Sequence, residues 1–177
     1  SVTVTCVDDP PVAVDDSPSV AEDSGANTID VLLNDTDIDG GAKLVTAVGT
    51  ATNGTVTNNS SNVSYAPTGN YCGADSFTYT ITGGSSATVS VTVTCVDDPP
   101  VAVDDSPSVA EDSGANTIDV LLNDTDIDGG AKLVTAVGTA TNGTVTNNSS
   151  NVSYTPTGNH CGADSFTYTI TGGSSAT

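Results

Sequence analysis

Ser76–Cys95 reads SFTYTITGGSSATVSVTVTC. Its first half places Phe77, Tyr79 and Ile81 on one face and Thr78, Thr80 and Thr82 on the other. After Gly83-Gly84-Ser85-Ser86, Val89, Val91, Val93 and Cys95 face one way, and Ser90, Thr92 and Thr94 the other. Period two on both sides of a turn is the pattern of paired, half-buried antiparallel strands. No segment carries a helical period, so the chain is predicted to be all-β.

The hairpin runs on into Ser90–Pro100, SVTVTCVDDPP, and the same residues open the chain at Ser1–Pro11. The offset of 89 holds as far as Thr88 and Thr177, with two differences: Ala66 against Thr155, and Tyr71 against His160. A repeat of this length fixes the architecture before anything else does. Asp8-Asp9-Pro10-Pro11 is the linker signal, because neither proline can donate to a β-ladder. The predicted organisation is three-part. Residues 1–7 are the final strand of a preceding or neighbouring module, 8–96 a first module, and 97–177 a second module lacking its own final strand.

The rest of the repeat supplies further short strands. Val12–Val14 starts an edge strand that Ser19–Glu22 resumes. Asn27–Leu33 puts Ile29, Val31 and Leu33 on one face. Lys43–Thr50 follows an acidic loop. Asn53-Gly54 is a short hairpin turn signal between residues 50–52 and 55–57, and Asn62–Tyr65 points Val63 and Tyr65 inward. About seven strands per repeat predict two tandem Ig-like antiparallel β-sandwich modules.

The chain has 22 Asp and Glu against 2 Lys and Arg, a formal net charge of −20. That charge opposes nucleic acid, which needs a basic footprint, and anionic membranes as well. No apolar run is long enough for membrane insertion. The core is short of large side chains, with Phe 2, Tyr 5 and no Trp or Met, so extra restraints are expected.

Cys6, Cys72, Cys95 and Cys161 contain no C-x-x-C pair, and His160 is the only histidine. Disulfides in an oxidising, extracellular or cell-surface setting fit better than zinc. With the hairpin turn centred on Gly83 to Ser85, Cys72 and Cys95 become cross-strand neighbours. Cys161 then needs a partner 23 residues on, and Cys6 needs one upstream. One copy's Ser1–Val7 would complete another's second module, with Cys6 bonded to Cys161. A continuous run of further repeats makes the same contacts. Reduced thiols, or pairing of Cys6 with Cys72 and Cys95 with Cys161, are the alternatives.

VAVDD, AEDSG, VLLNDTDIDGG, SYAPTGN, GADSFTYTITGG and VSVTVTCVDDPP, in this order, resemble the tandem bacterial Ig-like or cadherin-like modules of giant surface proteins and adhesins. The resemblance covers the whole chain and implies stalks and spacers. Asp35, Asp37 and Asp39 before Gly40 match the first half of a calcium loop, as do Asp124, Asp126 and Asp128 before Gly129. Thr46 stands where the bidentate Glu of an EF-hand belongs. Further ligands would come from Glu22 and Asp23, from Asp15 and Asp16, or from the linker pair Asp97 and Asp98. The cadherin-like resemblance implies calcium at module junctions; turn chemistry is the plainer account of the same residues.

Asn34, Asn53, Asn58, Asn59 and Asn62 lie in N-x-S/T sequons, with equivalents at Asn123, Asn142, Asn147, Asn148 and Asn151. Glycosylation and turn chemistry compete there too. Lys43 is a candidate for an isopeptide crosslink. No nucleophile–base pair or phosphate loop is present, so the protein is not expected to be an enzyme. Two functions remain. One is a structural repeat of an extracellular filament or adhesin stalk, whose partners are copies of itself or further repeats. The other is a glycan- or cell-binding module. The near-identity of the copies favours the first.

Overall fold

The computed structural model describes all 177 residues and divides into two units, Ser1–Val96 and Asp97–Thr177. Unit 1 holds seven strands: β1 Ser19–Ala21, β2 Asn27–Ile29, β3 Val45–Val48, β4 Gly54–Asn58, β5 Val63–Pro67, β6 Gly73–Ile81 and β7 Ser86–Thr94. One sheet has the order β1-β7-β6-β3 and the other β2-β5-β4. Ile29, Val63 and Tyr65 of the second sheet meet Phe77, Tyr79, Ile81, Val89, Val91 and Val93 of the first in one buried cluster. This is the sandwich that the alternation predicts, because only one face of each strand can be apolar. β1 joins β7 in parallel, Val20 opposite Val93, and all other strand pairings in unit 1 are antiparallel.

In unit 2 the strands are β8 Asn116–Ile118, β9 Val134–Val137, β10 Gly143–Asn147, β11 Val152–Pro156, β12 Tyr168–Ile170 and β13 Ser175–Ala176. They make two three-stranded sheets, β10-β11-β8 and β13-β12-β9. Ser108–Ala110, which match β1, form no strand.

Several local expectations change. In the hairpin, Phe77 faces Val89 and Gly73 faces Val93. The turn is therefore centred on Gly83, whose φ of 83° is open to glycine at no steric cost. Asn53-Gly54 is not a hairpin turn. Gly54 opens β4, which pairs with β5 rather than with residues 50–52. A Cβ at Gly54 would lie 2.4 Å from the Tyr65 ring, so close packing, not turn geometry, requires glycine there. Residues 12–14 contribute a single bridge, Val12 to Thr36, instead of a strand. β2 ends at Ile29; Val31 is still buried, but Leu33 is 81% exposed. The chain turns after Asp30, with Leu33 N–H bonded to Asp30 O.

Candidate functional site

The slot occupied by β7 is the most heavily specified feature of unit 1. The main chain binds it on both edges, to β6 and to β1. Asp16 N–H donates to Thr88 O at 3.0 Å, and Thr92 N–H to Pro18 O at 3.0 Å. Thr88 N–H in turn donates to Asp15 Oδ1 at 2.8 Å. Val91 and Val93 are 2% exposed beneath these bonds. Past the ladder, Cys72 and Cys95 are joined in a disulfide with Cα atoms 4.9 Å apart. Each cysteine sits one residue beyond its strand, before Gly73 and after Thr94. Glu22 is buried beside this bond. Its N–H donates to Thr94 O at 3.0 Å, and its Oε1 accepts Val96 N–H at 2.6 Å.

Unit 2 makes only the two of these contacts that fall on Thr177, the counterpart of Thr88. Thr177 N–H donates to Asp104 Oδ1 at 2.9 Å, and Asp105 N–H to Thr177 O at 2.9 Å. Beyond them lies an open cleft of about 540 Å³, lined among others by Pro107, Val109, Glu111, His160, Cys161 and Phe166. Cys161 is an exposed free thiol, and so is Cys6. Ser1–Val7 forms no strand and is exposed throughout. Val2 and Val4, the counterparts of Val91 and Val93, are 92% and 86% exposed.

The acidic loop does not gather its carboxylates. Asp35 turns inward: its Oδ1 accepts Val14 N–H at 2.8 Å and the Tyr79 hydroxyl at 2.7 Å. Asp37 Oδ1 accepts the N–H groups of Asp39 and Gly40 at 3.0 and 2.9 Å, closing its own turn. Asp39 Oδ2 accepts Asp9 N–H at 2.6 Å. The Lys43 ammonium donates to the Leu32 and Asp35 carbonyl oxygens, so the loop's own lysine occupies oxygens that a hard cation would use. Asp124, Asp126, Asp128 and Lys132 repeat most of this pattern. Glu22 lies apart from the loop. Its carboxylate and the two disulfide sulfurs lie within 4.8 Å of one another, and bonded sulfurs are not thiolate ligands. Asp98 N–H reaches Asp128 Oδ2 at 2.6 Å, whereas Asp97 is exposed. In this arrangement the residues do not fit a calcium ion.

The sequon asparagines are engaged in local hydrogen bonds. Asn34 Nδ2 donates to Asp15 O at 2.9 Å and Asn58 Nδ2 to Val45 O at 3.1 Å. Asn59 Nδ2 donates to Asn62 Oδ1 and Ser64 Oγ, both at 2.8 Å. Asn123, Asn147 and Asn148 do the same in unit 2, where Asn148 reaches Asn151. Asn53 and Asn142 act through their main chains, each accepting a tyrosine hydroxyl. Lys43, bonded to carbonyl oxygens, forms no isopeptide.

Two inward-facing carboxylates have roles that local sequence does not announce. Asp75 accepts the Tyr65 hydroxyl at 2.8 Å and the N–H groups of Thr52, Asn53 and Ser76. Burial alone would raise its pKa, but these four donors hold it below the usual carboxylate value. Its signal is its phase: Asp75 alternates inward with Phe77, Tyr79 and Ile81. Asp16 is the opposite case. Burial, then the nearby charge of Asp35, pushes it up to about 6. Asp16 Oδ2 and Asp35 Oδ2 are both buried without a partner.

The bacterial Ig domain model matches residues 8–96 and again 97–177. The chain belongs to the bacterial Ig domain family. No curated protein matches it. Among solved structures, this bacterial Ig pair is similar to an endo-fucoidan hydrolase of glycoside hydrolase family 107, at 20% identity over 94% of this chain and 28% of that one, with TM-score 0.37. It is also similar to the protocadherin gamma B4 extracellular domain, at 16% identity over 96% and 35%, TM-score 0.42. Protocadherin gamma B7 cadherin domains 1–4 give 17% over 91% and 46%, TM-score 0.45. The bacterial Ig pair spans less than half of each of these structures. No helix is long and apolar enough to cross a membrane.

Proposed function

We propose that this bacterial Ig pair is a non-catalytic structural repeat of an extracellular filament or adhesin stalk. Modules are joined head-to-tail through a closing strand of sequence SVTVTCV, either shared along one chain or donated by the next, and sealed by a disulfide. One observation carries this reading: the β7 slot is filled in unit 1 by Ser90–Val96, and the identical Ser1–Val7 lies exposed beside no strand. Adding an extended segment to an open sheet edge gives main-chain hydrogen bonds along its length and a pocket for every second side chain. A heterologous contact of this kind propagates into a filament wherever its rotation does not close a ring.

The cysteine pattern supports a setting outside the cell, where such bonds persist. The high negative charge keeps an exposed fibre soluble and discourages lateral association. Electron microscopy of the native assembly tests the reading. Beads at a regular spacing along a filament are expected; dispersed single chains overturn it. A non-reducing gel then separates the two modes of joining. A ladder that collapses on reduction marks donated strands, and a giant species that survives reduction marks one continuous chain.

A further inference from the structure

Resting on that strand-sharing reading, we infer that Glu111 is a positioning residue of the unit 2 cleft. It grips the chain on both sides of Cys6 of a second copy and so holds that thiol against Cys161. Unit 1 displays the completed grip. Glu22 sits 3% exposed at the end of the β7 ladder. Its main-chain N–H holds Thr94, the residue before Cys95, and its carboxylate holds Val96, the residue after. The carboxylate oxygen lies within 4.8 Å of both sulfurs. The β1 and β6 pairings stop at Thr94 and Val93. Past the ladder, the disulfide holds Cys95 and the Glu22 carboxylate holds Val96.

Glu111 is the same residue in the repeat, but it stands exposed on the wall of the cleft that Cys161 also lines. Thr5, Cys6 and Val7 reproduce Thr94, Cys95 and Val96. The donor to be recognised is therefore the Val7 amide. A carboxylate accepting a backbone N–H is a charge-assisted hydrogen bond, stronger than a neutral one. Its desolvation on docking leaves no polar group unpaired. Fixing a strand end in this way turns sulfur pairing into a reaction between neighbours held at high effective concentration. The bond forms by exchange. The Cys161 thiol gives up its proton, its sulfur attacks Cys6 Sγ held in a mixed disulfide, and a small thiol departs.

The test uses the full chain carrying Cys6→Ser, in which Cys161 is the free thiol. The probe is a synthetic SVTVTCV peptide with its cysteine activated as a thionitrobenzoate mixed disulfide, and release of the coloured thiol reports capture. Glu111→Ala is expected to slow capture about tenfold, the loss of one hydrogen bond to a charged group. Glu111→Gln, whose amide oxygen still accepts an N–H, restores most of the rate. A peptide N-methylated at Val7 is slowed as much on the Cys6→Ser chain and no further on the Glu111→Ala chain. A small-molecule disulfide reacts with Cys161 equally in all variants.

Equal capture by the Glu111→Ala chain, or of the N-methyl peptide, overturns the role of Glu111. A scrambled peptide captured as fast as SVTVTCV overturns the strand-sharing reading itself.

Discussion

Gly73–Ile81 and Gly162–Ile170 have the same sequence, GADSFTYTI, and different structures. The first is one continuous strand laddered against Ser86–Thr94. The second is strand only at Tyr168–Ile170, where β9 and β13 lie alongside. Phe77 is buried and Phe166 half-buried; Glu22 is buried and Glu111 exposed. Composition is held constant across the pair, so the difference belongs to the neighbouring strand. β-structure here is a property of the pairing rather than of the segment, as expected where strand preference measures packing on a pleated surface. The parts of unit 2 that do not touch the β7 slot, β8 to β11, keep the form of their counterparts.

The largest test of this comparison is to give unit 2 a β7 neighbour of its own. Extending the chain beyond Thr177 with VSVTVTCV, the residues that come after Thr88, is expected to ladder Gly162–Ile170 throughout. Hydrogen exchange should then slow at the Phe166 and Asp164 amides, the counterparts of Phe77 and Asp75, whose N–H groups face β7. Unit 2 should gain about 1.5 kcal/mol or more for each valine buried. Amides that stay fast would break the comparison. The next effect is the covalent one. Cys95→Ala opens a loop with a sequence separation of 23 and should cost unit 1 about 3 kcal/mol in denaturant titration. Unit 2, without such a bond, should not change.

Tyr65→Phe comes third. It leaves the buried Asp75 carboxylate short of one donor, for a loss of about 2 kcal/mol in the same titration. Tyr154→Phe should lose less, because Asp164 is half-buried.

The pH dependence is smaller and has a definite sign. Asp16 holds its proton more tightly in the folded module than unfolded, with a folded pKa of about 6 against 3.8. The folded state therefore binds more protons between these values, and unit 1 should lose stability as pH rises from about 4 through 6. Asp16→Asn should flatten that slope. Asp105 is raised for the same first cause, burial, so unit 2 follows in direction. Asp75 works the other way, its contribution disappearing as pH falls below the normal carboxylate value. Smallest of all is the effect of calcium. With Lys43 on the loop carbonyls, a chelator should leave both melting midpoints in place. A midpoint that climbs with added calcium would mean that Asp35 and Lys43 exchange their partners for the ion.

What was legible in the sequence was whatever depended on period. Phe77, Tyr79 and Ile81, and Val89, Val91 and Val93, alternate so cleanly that the core of the larger sheet could be named residue by residue. What was not legible depended on partners far along the chain. Asn53-Gly54 carries a strong local turn signal, but the Tyr65 ring and the Asp75 carboxylate decide its conformation from elsewhere. Leu33 continues an inward pattern that the Asp30 turn cuts short. Asp35 carries the motif of a cation loop and serves a tyrosine instead. Glu22 reads in sequence as a further candidate cation ligand. Its role is visible only once Val96 is seen to end at its carboxylate.

The position of the Cys72–Cys95 bond has a mechanical consequence. It ties the start of β6 to the end of β7, immediately before the linker that begins at Asp97. Tension applied through that linker passes from Cys95 into Cys72 across a covalent bond and leaves the intervening hairpin outside the load path. Those residues, roughly 80 Å of extended chain, are withheld from any stretching of the module. A thread built from such units would be short of slack: each bead yields less length under force than its residue count allows, and the hairpin that carries the core is spared the pull.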